Sequence, residues 1–208
     1  MTEDRREQVR PFLRAGEHLV AVCAYELGPG VPTPPEDLLP PADPSSLHRR
    51  IEAKLPKPLA QLVRTRVIDP RRSRPAAAAA VDRLPDAVDQ LGTRLMHGKS
   101  MEGGWESTAG RFLISRAGAR GSVTGVLAVT DRRWFGLTDV SHLWQSTPVM
   151  KEYWEAPRSA VAAVRARPTG VLQRGRMDLE FTDGSWVALL ASVPAQAVPF
   201  AEAAAHYR

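Results

Sequence analysis

The clearest periodicity in the chain lies in GRMDLEFTDGSWVALLA, from Gly175 to Ala191. Met177, Leu179 and Phe181 alternate with Asp178, Glu180 and Thr182, the period of two that marks a strand buried on one face. Asp183-Gly184 follows as a two-residue turn of the kind that adopts positive φ, which predicts a hairpin. With that turn Thr182 faces Ser185, Phe181 faces Trp186, Leu179 faces Ala188 and Met177 faces Leu190, so one side of the ribbon is wholly apolar. Phe181 and Trp186 are then cross-strand neighbours in the core.

Shorter apolar runs extend this pattern upstream. EHLVAVCAYEL, Glu17 to Leu27, is a first strand ended by the turn-forming Gly28-Pro29-Gly30. From Gly110 onward RFLIS, TGVLAVT, RRWFGL, VMKEYW and AVAAVRA read as strands ahead of the hairpin, and PAQAVPFAEAAAHY as a C-terminal helix. Between these two regions the period changes. Pro32, Pro34, Pro35, Pro40, Pro41 and Pro44 make an extended linker. Ser45 and Ser46 then offer N-caps for a helical stretch with Leu59, Leu62, Val63 and Val67 on one face. A second stretch opens at Pro75, carries Val81, Leu84, Val88, Leu91 and Leu95 at spacings of three and four, is kinked by Pro85 and stops at Gly98. Strands without alternating helices indicate an α+β protein built on an antiparallel sheet or barrel. Its expected organisation is an N-terminal segment and first strand over 1–30, a proline-rich linker and helical insertion over 31–109, and the remaining strands and closing helix over 110–208.

Composition narrows the class. At 208 residues, with 43% hydrophobic and 25% charged, the chain is long and apolar enough to fold around a core. No run approaches the ~18 apolar residues of a membrane span, and MTEDRREQVRPFLRAGE is charged where a signal peptide is apolar, so a cytoplasmic location is expected. Cys23 is the only cysteine; it reads as a small buried thiol.

The order GVLAVTDRRWFGL, then EAPRSAVAAVRARPTGVLQRGRMDLEFTDGSWVALLA, then a terminal helix resembles the bacterial pleckstrin-homology-like (PH-like) and GRAM-like domains. The likeness lies in a succession: a strand ending in Thr-Asp-Arg-Arg, an aromatic strand, a Pro-x-x-x-Val opening, a hairpin turning at Asp-Gly-Ser, and a helix. It spans Gly110 to the C-terminal end, with Glu17 to Leu27 as first strand. The resemblance implies a small, strongly bent antiparallel β-barrel capped by the C-terminal helix, serving as a platform for lipids, peptides or proteins rather than as an enzyme. The helical insertion after the first strand departs from the family pattern, because phosphoinositide-binding members carry their basic motif there.

Catalytic chemistry finds little support in the residues. GTRLMHGKS, Gly92 to Ser100, approaches a phosphate loop, but five residues separate Gly92 from Gly98 where four are needed, and a helix rather than a strand precedes it. His18, His48, His97, His142 and His206 show no i, i+4 pairing, and Ser122 lies outside a nucleophile elbow. Asp82, Asp86 and Asp89 sit beside Arg83 and Arg94 as a solvated helix face. No catalytic, cofactor-binding or metal-binding residue is assigned.

Charge is more informative. Arg49, Arg50, Lys54, Lys57, Arg64, Arg66, Arg71, Arg72 and Arg74 face only Glu52 and Asp69 within their segment, while the chain as a whole carries +5. A basic insertion on a near-neutral domain suits an electrostatic contact with an acidic protein, a nucleic acid or an anionic membrane. The segment has no Phe, Tyr or Trp to stack bases or enter a bilayer interface, which disfavours nucleic acid and weakens the membrane reading. Trp134, Trp154 and Trp186 fall in strands and read as core. Trp105 and Trp144, in loop-like surroundings, join the nine cations as candidate partner anchors. The expected function is that of a non-catalytic adaptor binding a protein partner. Peripheral attachment to anionic membrane is the alternative, and an unrecognised hydrolase a second; oligomeric state is left open.

Overall fold

The computed structural model describes residues 2–40, 99–141, 147–167 and 173–206. The helices expected over 45–98, the near phosphate loop from Gly92 to Gly98 and Asp82, Asp86 and Asp89 lie outside the described residues.

Eight strands form one antiparallel sheet: β1 (Leu19–Leu27), β2 (Met101–Glu102), β3 (Gly125–Thr130), β4 (Arg133–Asp139), β5 (Met150–Pro157), β6 (Val161–Ala166), β7 (Arg176–Phe181) and β8 (Trp186–Ala191). The path across the sheet is β5-β4-β3-β1-β8-β7-β6, with the short β2 also pairing with β8. It is not closed, since β5 and β6 end the path. β1 is the hinge of the arrangement: Cys23 pairs with Leu127 on β3, and two residues later Tyr25 pairs with Ala191 on β8. Irregularities between Leu19 and Ala21, Gly136 and Leu137, and Val161 and Ala163 bend the strands they interrupt. The described helices are α1 (Thr2–Val9), α2 (Thr108–Gly118) and, after β8, α3 (Ala197–His206).

Both faces of the central strands are buried. On the inner face Cys23, Tyr25, Leu127, Val129, Met177, Leu179, Phe181, Val187 and Leu189 share one core with Ala109, Phe112 and Leu113 of α2 and Phe200 and Ala204 of α3. Phe112 meets Trp154 edge to face at 5.0 Å, and Phe200 meets Trp134 at 6.3 Å. On the outer face Val22, Val126, Ala128, Phe135 and Leu137 are covered by Val9 of α1 and by Phe12 and Leu13 just after it. Burial on both faces explains why TGVLAVT and RRWFGL are apolar without alternation. The charged N-terminal segment thus places three apolar residues where the sheet needs them.

Two expectations are corrected. RFLIS is not a strand but the middle of α2. Its buried residues, Ala109, Phe112, Leu113 and Arg116, recur at three and four, and Ser107 Oγ accepts from Gly110 N at 3.2 Å as the N-cap. The hairpin turn has three residues rather than two. Gly184 N donates to Phe181 O at 3.0 Å, Phe181 N donates to Ser185 O at 2.8 Å, and Gly184 holds φ +81°. The extra residue shifts the register by one: Met177 faces Leu189, Leu179 faces Val187 and Trp186 faces Glu180. Phe181 is buried as expected, but Trp186 falls on the opposite face, half-buried, with the Arg176 guanidinium 5.8 Å from its ring. The apolar side is instead Met177, Leu179 and Phe181 against Val187, Leu189 and Ala191. Trp134 and Trp154 are buried as expected.

The turn also has a second role. Asp183 Oδ2 accepts from Thr108 N at 2.7 Å and Thr108 Oγ1 at 2.8 Å, and Ser185 Oγ accepts from Ala109 N at 3.1 Å. With Ser107, the Asp-Gly-Ser turn therefore satisfies the first three free N–H groups of α2. Burial acts to raise the Asp183 pKa, but the hydrogen bonds from Ser185 and Thr108 outweigh it and hold the carboxyl far below its ordinary value.

Candidate functional site

The end of β1, the proline-rich segment after it and the C-terminal half of α2 enclose a groove of about 330 Å³. β1 contributes Glu26 and Leu27, and the following segment Val31, Pro32, Thr33 and Pro34. Leu113, Arg116, Ala117 and Arg120 come from α2 and its end, and the loop into β3 adds Gly121, Ser122 and Val123. Gly28 N donates to Ala188 O, Ala188 N to Ser100 O and Ser100 Oγ to Pro29 O, which ties the start of the proline segment to β8 and to the chain returning at Ser100.

Arg116 forms the polar floor. It is 8% exposed, and its guanidinium donates to Ser122 O, to Val123 O at 2.7 Å and to Thr138 Oγ1 at 3.4 Å. All three acceptors are neutral, and Nε has no hydrogen-bond partner. The guanidinium lies 5.5 Å from the Tyr153 ring. The Tyr153 hydroxyl is hydrogen-bonded to that of Tyr25, whose acidity burial suppresses to a pKa of about 12. Burial likewise pushes Tyr153 well above the ordinary phenol value, so both partners stay neutral.

Arg120 stands at the rim. α2 ends at Gly118 with Ala119 as C-cap, and Arg120 then takes φ +51°, the only positive φ outside glycine among the described residues. That position after a helix is usually glycine, because a side chain in the left-handed region costs ~1 kcal/mol. Glycine instead occupies the next position, where a Cβ at Gly121 would come within 2.1 Å of Thr138 Oγ1. Arg120 is exposed and, among the described residues, makes no side-chain hydrogen bond or ion pair. Leu27 is 36% and Val123 80% exposed at the same groove. The arrangement offers two guanidinium groups beside an apolar wall, opposite Glu26, which accepts from Thr124 Oγ1 at 3.3 Å.

Two other hollows are less suited to a ligand. One of about 380 Å³ runs between Arg6, Val20, Val22, Pro199, Phe200 and Ala203, without a buried unpartnered polar atom; another of about 60 Å³ lies against Trp134, Val161 and Ala204.

Arg49, Arg50, Lys54, Lys57, Arg64, Arg66, Arg71, Arg72, Arg74 and Trp144 lie outside the described residues. Trp105 is half-buried against the inner core and does not line the groove. Ser122 Oγ donates to Thr124 O at 2.6 Å. The Cys23 thiol is buried, which raises its pKa to about 12. No three His, Cys, Asp or Glu side chains gather as metal ligands among the described residues, and no helix there is long and apolar enough to cross a membrane. Arg116 and Arg120 were missed because RFLIS was read as a strand. On a helix, Phe112, Arg116 and Arg120 follow one another at steps of four, a spacing visible in the sequence.

Compared with known proteins, the chain matches no family model, no curated protein and no solved structure.

Proposed function

We propose that this protein is a non-catalytic binding module of PH-like architecture, an adaptor that seats a segment of a protein partner in the groove between α2 and the proline-rich segment. One observation carries the reading. Of the four large apolar side chains exposed among the described residues, Leu27 and Val123 line this same groove, beside Arg116 and Arg120. Apolar side chains gathered at a concave, partly charged surface are the usual mark of an interaction site. The PH-like reading is supported by the strand order β5-β4-β3-β1-β8-β7-β6 with a helix after the last strand, β2 and α2 being additions.

The test is selection of random peptides on the full-length chain. Enriched peptides are expected to bind in solution and to lose at least tenfold in affinity to the Val123→Asp and Leu27→Asp variants. Peptides that bind both variants as well as the wild type would move the site away from the groove. Attachment to anionic membrane through Arg49 to Arg74 rests on sequence alone; flotation with phosphatidylserine vesicles separates it, because salt-sensitive capture without peptide binding favours the membrane.

A further inference from the structure

Arg120 stands where the backbone favours glycine. We infer that it is the specificity-determining residue of the groove, and that the partner segment seated there carries a carboxylate next to an apolar side chain. The inference rests on the proposed binding reading and names the chemistry of its ligand.

Three observations converge on it. Arg120 adopts φ +51° at the end of α2, a backbone state in which a side chain is a liability to the fold. Its guanidinium meets no acceptor among the described residues, so folding gains nothing visible from the charge. It lines the groove together with Arg116, whose buried guanidinium is matched only by neutral oxygens. The one acidic residue of the lining, Glu26, is hydrogen-bonded to Thr124, and among the described residues no ion pair joins it to either arginine. Among the described residues the α2 side of the groove therefore lacks an anion. A ligand carboxylate supplies one, and a guanidinium accepts it through two parallel hydrogen bonds. Leu27, Val31, Pro34 and Val123 then cover the neighbouring apolar side chain.

Two pools of amidated eight-residue peptides, identical except that Asp and Glu in one are Asn and Gln in the other, are offered to the full-length chain, and bound peptides are identified by mass spectrometry. The carboxylate pool is expected to bind at least tenfold better at low salt, with the preference shrinking as salt rises. Arg120→Gly is expected to raise the thermal midpoint by about 2–4 °C while losing that tenfold preference, and Arg120→Lys to restore part of it. Greater stability with weaker binding separates this role from a structural one. Equal binding of both pools, or unchanged binding by Arg120→Gly while Val123→Asp still abolishes it, would overturn the carboxylate inference and leave the groove reading standing. If no peptide from either pool binds, or Val123→Asp changes nothing, the groove reading fails and this inference with it. Capture of a fluorescent fatty acid in place of any peptide overturns both.

Discussion

Three arginines are buried among the described residues, and two of them, Arg133 and Arg116, are matched in opposite ways. Arg133, at the start of β4, is 5% exposed. Its Nε donates to Glu17 at 3.0 Å, one terminal nitrogen to Glu152 at 3.1 Å and Glu155 at 2.8 Å, and the other to Phe12 O at 2.7 Å. Its guanidinium lies 4.4 Å from the Phe135 ring, and Arg14 adds a second cation to Glu155. Arg116, about as buried, has carbonyls, a hydroxyl and an orphan Nε. One charge is neutralised with surplus; the other is merely solvated by dipoles. The surplus joins the segment over 10–17 to β4 and β5, which keeps α1 over the outer face. The deficit sits in a groove open to solvent. Where charge is balanced the side chain serves the fold; where it is not, the carboxylate of the proposed partner would supply the balance.

The largest expected effect breaks the first side of that contrast. Arg133→Met strands the fully buried Glu17 carboxylate and should cost ~3–5 kcal/mol in urea unfolding, the typical loss when one partner of a buried pair is removed. Arg116→Met leaves only neutral acceptors behind, so its cost should be smaller, ~1–2 kcal/mol by the same measurement. Equal losses in the two variants would erase the distinction between them. Asp183→Ala removes the cap that joins the hairpin turn to α2 and should cost ~1 kcal/mol, visible as a lower thermal midpoint and faster amide exchange in the first turn of α2.

The smallest effect sharpens the contrast by pH. Burial raises the Glu17 pKa, but hydrogen bonds from Arg14 N, Thr130 and Arg133 outweigh it, and the folded-state pKa lies below the ordinary value. Its contribution to stability is therefore complete above the unfolded value of about 4.3 and is lost as pH falls through the lower folded one. Unfolding followed from pH 6 to 3 should show a decline that Glu17→Gln makes shallower. Arg116→Met, with no carboxylate partner in the described residues, should leave the slope of the wild type unchanged.

Much of the strand framework was legible because β1, β3, β4, β5 and the hairpin carry their own local patterns. RFLIS was misread because a short apolar run fits either period, and the deciding signal, the Ser107 cap with Phe112, Leu113 and Arg116 spaced behind it, lies partly outside the run. The hairpin register was lost to a single residue, since Asp-Gly fits a two-residue turn as well as the three-residue turn found. The two arginine sites were beyond reach for a different reason. Glu17, Arg133 and Glu152 are brought together by β1, β4 and β5, and the groove by residues 26–34 meeting 113–123, so neither exists until the sheet has formed.

The bond from Ser100 to Pro29 has a consequence for how such a chain can change over time. The chain leaves the sheet after Gly28 and comes back at Ser100, and both residues are bonded to Ala188 on β8. Lengthening a loop whose ends already meet is cheap, about 0.6 kcal/mol for each doubling. The register of β1 and β8 does not depend on it. Relatives of this protein can therefore be expected to share the sheet, α2 and the groove while differing freely in the length and make-up of the passage over 41–98, and an unrelated domain grafted there should leave the host sheet intact.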